Sequence, residues 1–342
     1  MPILKYLLLP FSLLYGLITW VRNKCYDFGV FKTYEIPVKS ILVGNLSMGG
    51  TGKTPHTAYL AEMLCNEYQT VILSRGYRRQ SKGFLWIDDS DEVLNAGDEP
   101  LFYAKEFDNR LKVAVCESRA VGVRQILKDE KKTKLILLDD AFQHRAVRAG
   151  YSILLTDFSR PFDRDFVLPA GNLREFSFGK NRADCLIVTK CPTNLSPQVK
   201  MEIKKRLNFK NENVFFSTIK YGELRCFGKK IEAAKKVLII TGIANPTPLI
   251  DFYKDQYQVE SIQFADHHLF TSEEIDQIHS KFDIFADENS IIVTTEKDYV
   301  RLEQLLSKEQ REKYPWYYQT IAVKIDEEEK FNQIIKRYVD AV

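Results

Sequence analysis

Along the chain, apolar positions fall first into one long stretch and then into short runs separated by segments of helical periodicity. From Ile3 to Val21 the only charge is Lys5. As a helix at about 1.5 Å per residue this stretch is about 28 Å long, close to a bilayer core. Pro10 and Gly16 interrupt it. Tyr6, Tyr15 and Trp20 suit a headgroup interface, and Arg22 and Lys24 follow directly. A cleaved signal peptide is disfavoured, because Met1–Leu4 has no basic residue and no small-residue cleavage site follows. A single span, a helix packed on the protein's own core, and a helix lying in a membrane surface are left. The last is expected for residues 1–35.

Beyond it, Ser40–Gly44, Val71–Leu73, Val113–Val115, Leu135–Leu138, Ile153–Leu155 and Leu186–Val188 are continuous apolar runs. Such runs predict strands covered on both faces. Helix-period residues such as Tyr59, Leu60, Met63 and Leu64 lie between them, which predicts a parallel sheet in an α/β domain. A polar stretch, Asn208 to Asn213, precedes Val214–Phe216. A second set follows, with strands at Val237–Ile240, Ile291–Val293 and Ile321–Val323 and helices at Pro248–Tyr253, Ser272–Phe282 and Glu328–Val339. The expected organisation is a membrane-associated segment (1–35), a larger α/β domain (36–215) and a smaller α/β domain (216–342). No internal repeat or low-complexity segment interrupts it.

Composition narrows the class. A length of 342 residues suits about two domains. Hydrophobic residues at 45% and charged residues at 28% exclude a disordered chain, and a single long apolar stretch excludes a polytopic membrane protein. With 49 basic against 46 acidic residues, a formal charge of +3 gives no case for a nucleic-acid partner. The six cysteines form no CxxC pair, so reduced thiols are expected rather than zinc ligands or a disulfide framework.

The first chemical signal follows the strand at Leu42–Val43. Ser47-Met48-Gly49-Gly50-Thr51-Gly52-Lys53-Thr54 fits the phosphate-binding loop except that Ser47 replaces the first glycine. Glycines let backbone N–H groups turn toward phosphate oxygens, and the following helix points its positive end at the anion. Lys53 is placed to reach the β- and γ-phosphates, and the Thr54 hydroxyl to hold Mg²⁺. Leu135–Leu138 ends in Asp139-Asp140, the arrangement that brings a carboxylate to the metal at a strand's end. Val188-Thr189-Lys190-Cys191 only partly imitates a guanine reader, which favours ATP over GTP. A membrane-associated ATPase switch is an alternative, although Met48 stands where that class carries a signature lysine. A nucleotide-binding scaffold without turnover is a third class.

Further segments extend the pattern: Val43-Gly44-Asn45-Leu46-Ser47 into the loop, Thr54-Pro55, Ser74-Arg75-Gly76-Tyr77, Gly97-Asp98-Glu99-Pro100 and Asp139 to His144. Pro169 to Glu175, Asp266-His267-His268 and Thr294 to Asp298 complete it. This ordered set, along nearly the whole chain, resembles the tetraacyldisaccharide 4'-kinase family of lipid A synthesis. Ala141 and Asn172 depart from the family's common glycine and proline, and neither position supplies a functional group.

The resemblance implies transfer of the γ-phosphoryl group of ATP, with Mg²⁺, to the 4'-hydroxyl of an acylated glucosamine disaccharide 1-phosphate, forming lipid IVA. It implies a place on the cytoplasmic face of the bacterial inner membrane. No obligate protein partner is inferred. Ser47 to Thr54 would bind the nucleotide. Thr54, Asp139, Asp140 and Glu175 would surround the metal, and Lys53 and Arg174 would neutralise phosphate charge. Asp98 would be the base for the sugar hydroxyl, with His267 paired to it and His268 the alternative. Asp98 alone is equally a helix cap before Pro100. Ser74, Arg75, Arg119, Gln143 and His144 would meet the substrate. Arg75, Arg78, Arg79 and Lys82 form a basic cluster in which Arg79 and Lys82 suit a solvated loop equally well.

Overall fold

Continuous apolar runs become the inner strands of one long sheet. The structure is a computed structural model that describes residues 2–209 and 213–341, with backbone alone for residues 2–6. The side chains of Lys5 and Tyr6, and part of the polar stretch 208–213, lie outside the described residues. In chain order the strands are β1 (Tyr34–Glu35), β2 (Lys39–Asn45), β3 (Thr70–Ser74), β4 (Leu85–Ile87), β5 (Lys112–Val115), β6 (Leu135–Asp139) and β7 (Val147–Arg148). They continue with β8 (Tyr151–Asp157), β9 (Cys185–Thr189), β10 (Val214–Cys226), β11 (Lys236–Thr241), β12 (Gln258–Gln263), β13 (Ser290–Thr295) and β14 (Trp316–Ile325).

Twelve of these form one sheet in the order β12-β11-β13-β14-β10-β9-β8-β2-β6-β3-β5-β4, and β1 pairs with β7 apart from it. Pairing is parallel except at β4–β5 and β10–β14. The expected parallel α/β sheet is therefore present as a parallel-dominated mixed one.

Strand β10 makes the join. Val214–Phe216 pair in parallel with β9, and Ser217–Cys226 pair antiparallel with β14, so the second set of strands runs opposite to the first. The strands that apolar runs did not announce are peripheral. β4 is exposed at Leu85, and β12 shows only partial burial along its length; each is an edge with one wet face.

The last helix, Glu328–Asp340, does not stay with the second set. It buries Phe331, Ile335 and Val339 against the core around β2 and the helix Lys53–Leu64. The Tyr338 hydroxyl donates to the Ser40 carbonyl at 3.0 Å, and the Tyr59 hydroxyl donates to Asn332 at 2.8 Å.

The first helix, Pro2–Asp27, has an inverted pattern. Its apolar residues face outward, with Leu7 66%, Phe11 61% and Ile18 59% exposed, while Ser12 is buried. The helix does lie against the protein, but through small and polar residues and not through its apolar ones. Among the described residues no helix is long and apolar enough to cross a membrane.

A buried histidine ties the phosphate-binding loop to the joining strand. His56 Nδ1 lies 2.6 Å from the Gly52 carbonyl and Nε2 lies 2.9 Å from the Ser217 hydroxyl. The ring is therefore neutral, with Nδ1–H donating and Nε2 accepting. Burial holds its pKa down, from 6.5 to about 4. A folded value below the unfolded one means stability is complete above about pH 6.5 and is lost as pH falls toward 4. We predict a loss of roughly 3 kcal/mol from His56 over that window. Urea unfolding between pH 7 and 4 measures it, and His56→Gln, which keeps a donor and an acceptor, flattens the curve.

Candidate active site

The loop after β2 places Gly49 and Gly52 at φ +99° and +85°, conformations that a side chain resists. Asn45 Nδ2 donates to the Thr51 hydroxyl at 2.8 Å and Thr189 Oγ1 donates to the Thr51 carbonyl at 2.9 Å, so the ends of β2 and β9 brace the loop. Met48 N–H donates to the Asn172 carbonyl at 2.7 Å, and Ser47 bridges to Leu173. Lys190 bonds the Gly50 carbonyl and pairs with Asp157 at 2.9 Å.

Two neighbouring carboxylates at the end of β6 have opposite characters. Asp139 is fully buried, and burial, reinforced by the charges of Glu99 and Asp140, pushes its carboxyl up to about 7. Its Oδ1 receives a long bond from the Thr57 hydroxyl at 3.4 Å, and its Oδ2 has no partner. For Asp140 burial works upward too, but Lys53 and Arg174 outweigh it and hold the carboxyl below its usual range. Lys53 Nζ is 3.7 Å from Asp140 Oδ2 and Arg174 Nη1 is 3.1 Å from Oδ1.

Arg174 also donates to Gln143 Oε1 at 3.2 Å, and Gln143 Nε2 donates to the Asn45 carbonyl at 2.8 Å. Glu175 is buried and its oxygens are engaged. Arg182 holds them at 2.7 and 2.9 Å, Gln143 donates at 3.2 Å and Asn23 at 2.8 Å. Arg119 is buried, donating to the Cys116 and Asp139 carbonyls at 2.6 and 3.1 Å, and burial lowers its pKa to about 10. Ser74 is buried at the end of β3, while Arg75 next to it is exposed. His144 is kept neutral, its pKa held at about 4 by burial and by Arg119 and Arg75. In the basic cluster Arg79 is not in a solvated loop. Its side chain is covered and paired with Glu117 at 2.7 Å.

The second constellation spans the two sets of strands. Asp98 begins the helix Asp98–Phe107 and is 5% exposed. Gly97 before it has φ +88°, and a Cβ there would stand 3.2 Å from the Tyr77 carbonyl. His267 Nδ1 lies 2.8 Å from Asp98 Oδ2. Arg78 fastens that turn by donating to the His267 carbonyl at 2.8 Å, and His267 itself has φ +57°. His268 turns away to Glu274, at 2.9 Å.

Sequence reasoning gave no role to three further residues here. Lys297 Nζ is 2.9 Å from His267 Nε2 and lies 3.9 to 4.0 Å from Asp98, Glu99 and Asp266. An ammonium donates to that ring nitrogen, so the hydrogen shared with Asp98 sits on Nδ1. Arg301 is 3.8 Å from Asp98 and 2.8 Å from the buried Asp298. Glu99 accepts from the Thr54 hydroxyl at 3.1 Å, joining the phosphate-binding loop to the Asp98 segment. Burial raises the Asp98 carboxyl, but the bond from His267 and the charges of Lys297 and Arg301 prevail and hold it at about 2. The signal for Glu99 and Lys297 was present in the Gly97–Pro100 and Thr294–Asp298 motifs, Arg301 lies just beyond the second, and their partners across the chain were not marked.

The family model described as tetraacyldisaccharide-1-P 4'-kinase matches residues 4–340. The chain is 43% identical over 309 residues to a tetraacyldisaccharide 4'-kinase of Flavobacterium johnsoniae, covering 88% of each chain. It is 40% identical over 350 residues to that of Flavobacterium psychrophilum, covering 100% of this chain and 98% of the other. A solved structure described as an "apo" form of LpxK from Aquifex aeolicus in complex with ATP superposes with a TM-score of 0.74 at 30% identity. It covers 98% of this chain and 99% of its own.

Removing Arg301 leaves Asp298, a fully buried carboxylate, without its cation. We predict that Arg301→Met costs roughly 3–5 kcal/mol in urea unfolding, the magnitude of a broken buried pair. An effect under about 1 kcal/mol would show that Arg301 neutralises no buried carboxylate there.

Proposed function

The chain belongs to the tetraacyldisaccharide 4'-kinase family, and we infer from that premise how its own residues carry out ATP-dependent phosphorylation of the 4'-hydroxyl of a tetraacyldisaccharide 1-phosphate to lipid IVA. The observation that carries the reading is one connected path. Thr54 of the phosphate-binding loop bonds Glu99, and the adjacent Asp98 bonds His267 from the far side of the cleft. We place the nucleotide phosphate at the Thr54 end of this path and the acceptor hydroxyl at the Asp98–His267 end.

Phosphoryl transfer asks a protein mainly for position and for neutralised charge. Ser47, Met48, Gly49, Gly50, Thr51 and Gly52 cradle the phosphates with Lys53 and Thr54. Lys53, and Arg174 held by Asp140 and Gln143, offset the negative charge on the group in transit. Asp98 at about 2 is a weak base by itself. We therefore assign the departing hydroxyl proton to the Asp98–His267 pair. The ring receives it at Nε2, where Lys297 now stands, and Asp98 steadies Nδ1–H. His268, engaged with Glu274, is left out of the step.

Mg²⁺ suits the donors present. Asp139 offers a buried carboxylate oxygen with no partner, next to Asp140. Thr54, Asp139 and Asp140 would hold the ion. Glu175, tied to Arg182, would act at one remove by fixing Gln143 and Arg174. Among the described residues no three acidic, His or Cys side chains form a ready cage. Mg²⁺ characteristically takes the rest of its shell from phosphates and water. When bound, the ion would supply positive charge against the negative charge of the phosphates.

The acceptor is a glycolipid, and we place the enzyme on the cytoplasmic face of the bacterial inner membrane, held by its first helix. The exposed stripe of Leu7, Phe11, Leu14 and Ile18 supports a membrane-surface helix. We assign Ser74, Arg75, Gln143 and His144 to the acceptor side, Arg75 supplying the exposed charge. Arg119, wholly buried, orders the end of β6 instead of touching substrate. We divide the chain into the helix 1–35, the phosphate-binding domain 36–215 and the smaller domain 216–342, with β10 the joint that would flex on closing.

The test is transfer of labelled γ-phosphate from Mg-ATP to tetraacyldisaccharide 1-phosphate in mixed micelles. We expect wild type to label the lipid, Lys53→Ala to lower kcat about 10²- to 10³-fold, and Asp98→Ala about 10²- to 10⁴-fold. Phosphate released to water with no labelled lipid would favour the ATPase switch. Arg75→Glu is predicted to raise KM for the lipid and leave KM for ATP unchanged. An unchanged lipid KM removes Arg75 from the substrate site.

A further inference from the structure

The helix Pro2–Asp27 carries two unlike faces. Leu7, Phe11, Leu14, Ile18 and Val21 recur at helical spacing and are exposed. Ser12, Gly16, Thr19 and Asn23 recur at the same spacing on another face, and all four are small or polar. That face sits on the loop carrying Arg174 and Glu175. The Ser12 hydroxyl accepts from the Ala170 N–H at 2.8 Å. A Cβ on Gly16 would lie 2.3 Å from the Phe176 ring, so glycine permits the close approach. Asn23 Nδ2 donates to Glu175 Oε2 at 2.8 Å.

From Asn23 the polar contacts run without a gap to the phosphate-binding loop. Glu175 accepts from Gln143 at 3.2 Å, Gln143 accepts from Arg174 at 3.2 Å, and Arg174 meets Asp140 at 3.1 Å. Asp140 in turn faces Lys53 at 3.7 Å. A second strut from the same helix turn joins the path midway, where Arg22 Nη2 donates to the Gln143 carbonyl at 3.2 Å. Farther along, Arg145 binds Asp27 at 2.8 Å and the Asn23 carbonyl at 3.4 Å. The face that bears on the protein is thus hydrogen-bonded into the charges that handle phosphate, and the face left bare is apolar.

We propose that Asn23 is a positioning residue for phosphoryl transfer, coupling the seating of the N-terminal helix on a lipid bilayer to the placement of Arg174, Asp140 and Lys53. The proposal rests on the membrane-surface kinase reading above. The bilayer takes the apolar stripe and fixes the helix, and Asn23 passes that fixed position to Glu175. Glu175 is buried and orients Gln143, and Gln143 orients the guanidinium of Arg174. Coupling of this kind is reciprocal. Nucleotide phosphates that draw Lys53 and Arg174 into place strengthen helix seating by the same factor by which seating strengthens nucleotide binding.

The test uses the full chain and vesicles of phosphatidylethanolamine and phosphatidylglycerol, without acceptor lipid, with and without Mg-ATP. Wild type is expected to partition about fivefold more tightly when Mg-ATP is present, at the lower end of ordinary coupling. Asn23→Ala keeps its nucleotide-free partitioning, because the apolar stripe is untouched, and loses the Mg-ATP effect. Asn23→Asp preserves size and sets a charge against Glu175, so it loses the effect as well. Loss in both variants assigns the role to the donated hydrogen bond and not to side-chain volume. Thr19→Val, whose hydroxyl serves only the Gly16 carbonyl of its own helix, keeps the effect. In micellar turnover Asn23→Ala lowers kcat about tenfold and raises KM for ATP about fivefold, the factor by which seating no longer strengthens nucleotide binding. A wild type indifferent to Mg-ATP, or an Asn23→Ala variant that retains the response, overturns the proposal. A wild type that does not bind vesicles, or labels no glycolipid, overturns the reading beneath it instead.

Discussion

Asp98 is a charge taken out of water at the seam between the two sets of strands, and a buried charge persists only where cations come to it. Here the cationic groups arrive from the far side. Lys297 and Arg301 stand on the helix Glu296–Leu302, and His267 on the turn after β12. The helices Asp98–Phe107 and Glu296–Leu302 pack to bring them together, and Arg78 pins the His267 turn from the first set. The carboxylate orients the ring, and the ring holds the seam in register. The same contact is thus both structural and chemical. Its strain is local, since His267 occupies the left-handed region without being glycine.

The phosphate side of the cleft works by the opposite principle. Asp139, Asp140 and Glu99 crowd acidic charge; Lys53 and Arg174 pair with Asp140, and Lys297 stands 3.9 Å from Glu99. Asp139 is left raised, with one oxygen unpartnered. A site arranged this way is poised for an external cation, and for phosphates brought with it. Stability elsewhere, from β10, His56 and the returning last helix, holds this unrelieved charge in place.

The first helix shows how an inverted pattern separates burial from exposure. Its small polar residues meet the protein because only they allow the helix close to the Pro169–Phe178 loop, while its large apolar residues stay outside. The same side chains that give that segment its apolar composition are therefore excess to the core. The helix adds little to the fold's interior and much to its exposed apolar surface.

What the sequence determined by itself was everything local. Continuous apolar runs marked β2, β3, β5, β6, β8, β9, β11 and β13, because a strand covered on both faces needs such a run. Glycine and lysine spacing marked the phosphate-binding loop, because backbone curvature is a property of the residues that make it. The ordered motifs pointed to the family. What only the tertiary structure decided was which motif faces which. The antiparallel join of β10 to β14, the wet edges β4 and β12, and the return of the last helix have no short-range signature. Neither do the partners of Asp98, Glu175 and Arg119. The distant contacts among them join residues 20 to 169 positions apart in the chain, brought together when apolar burial closes the sheet and leaves each enclosed charge to the nearest group that can answer it.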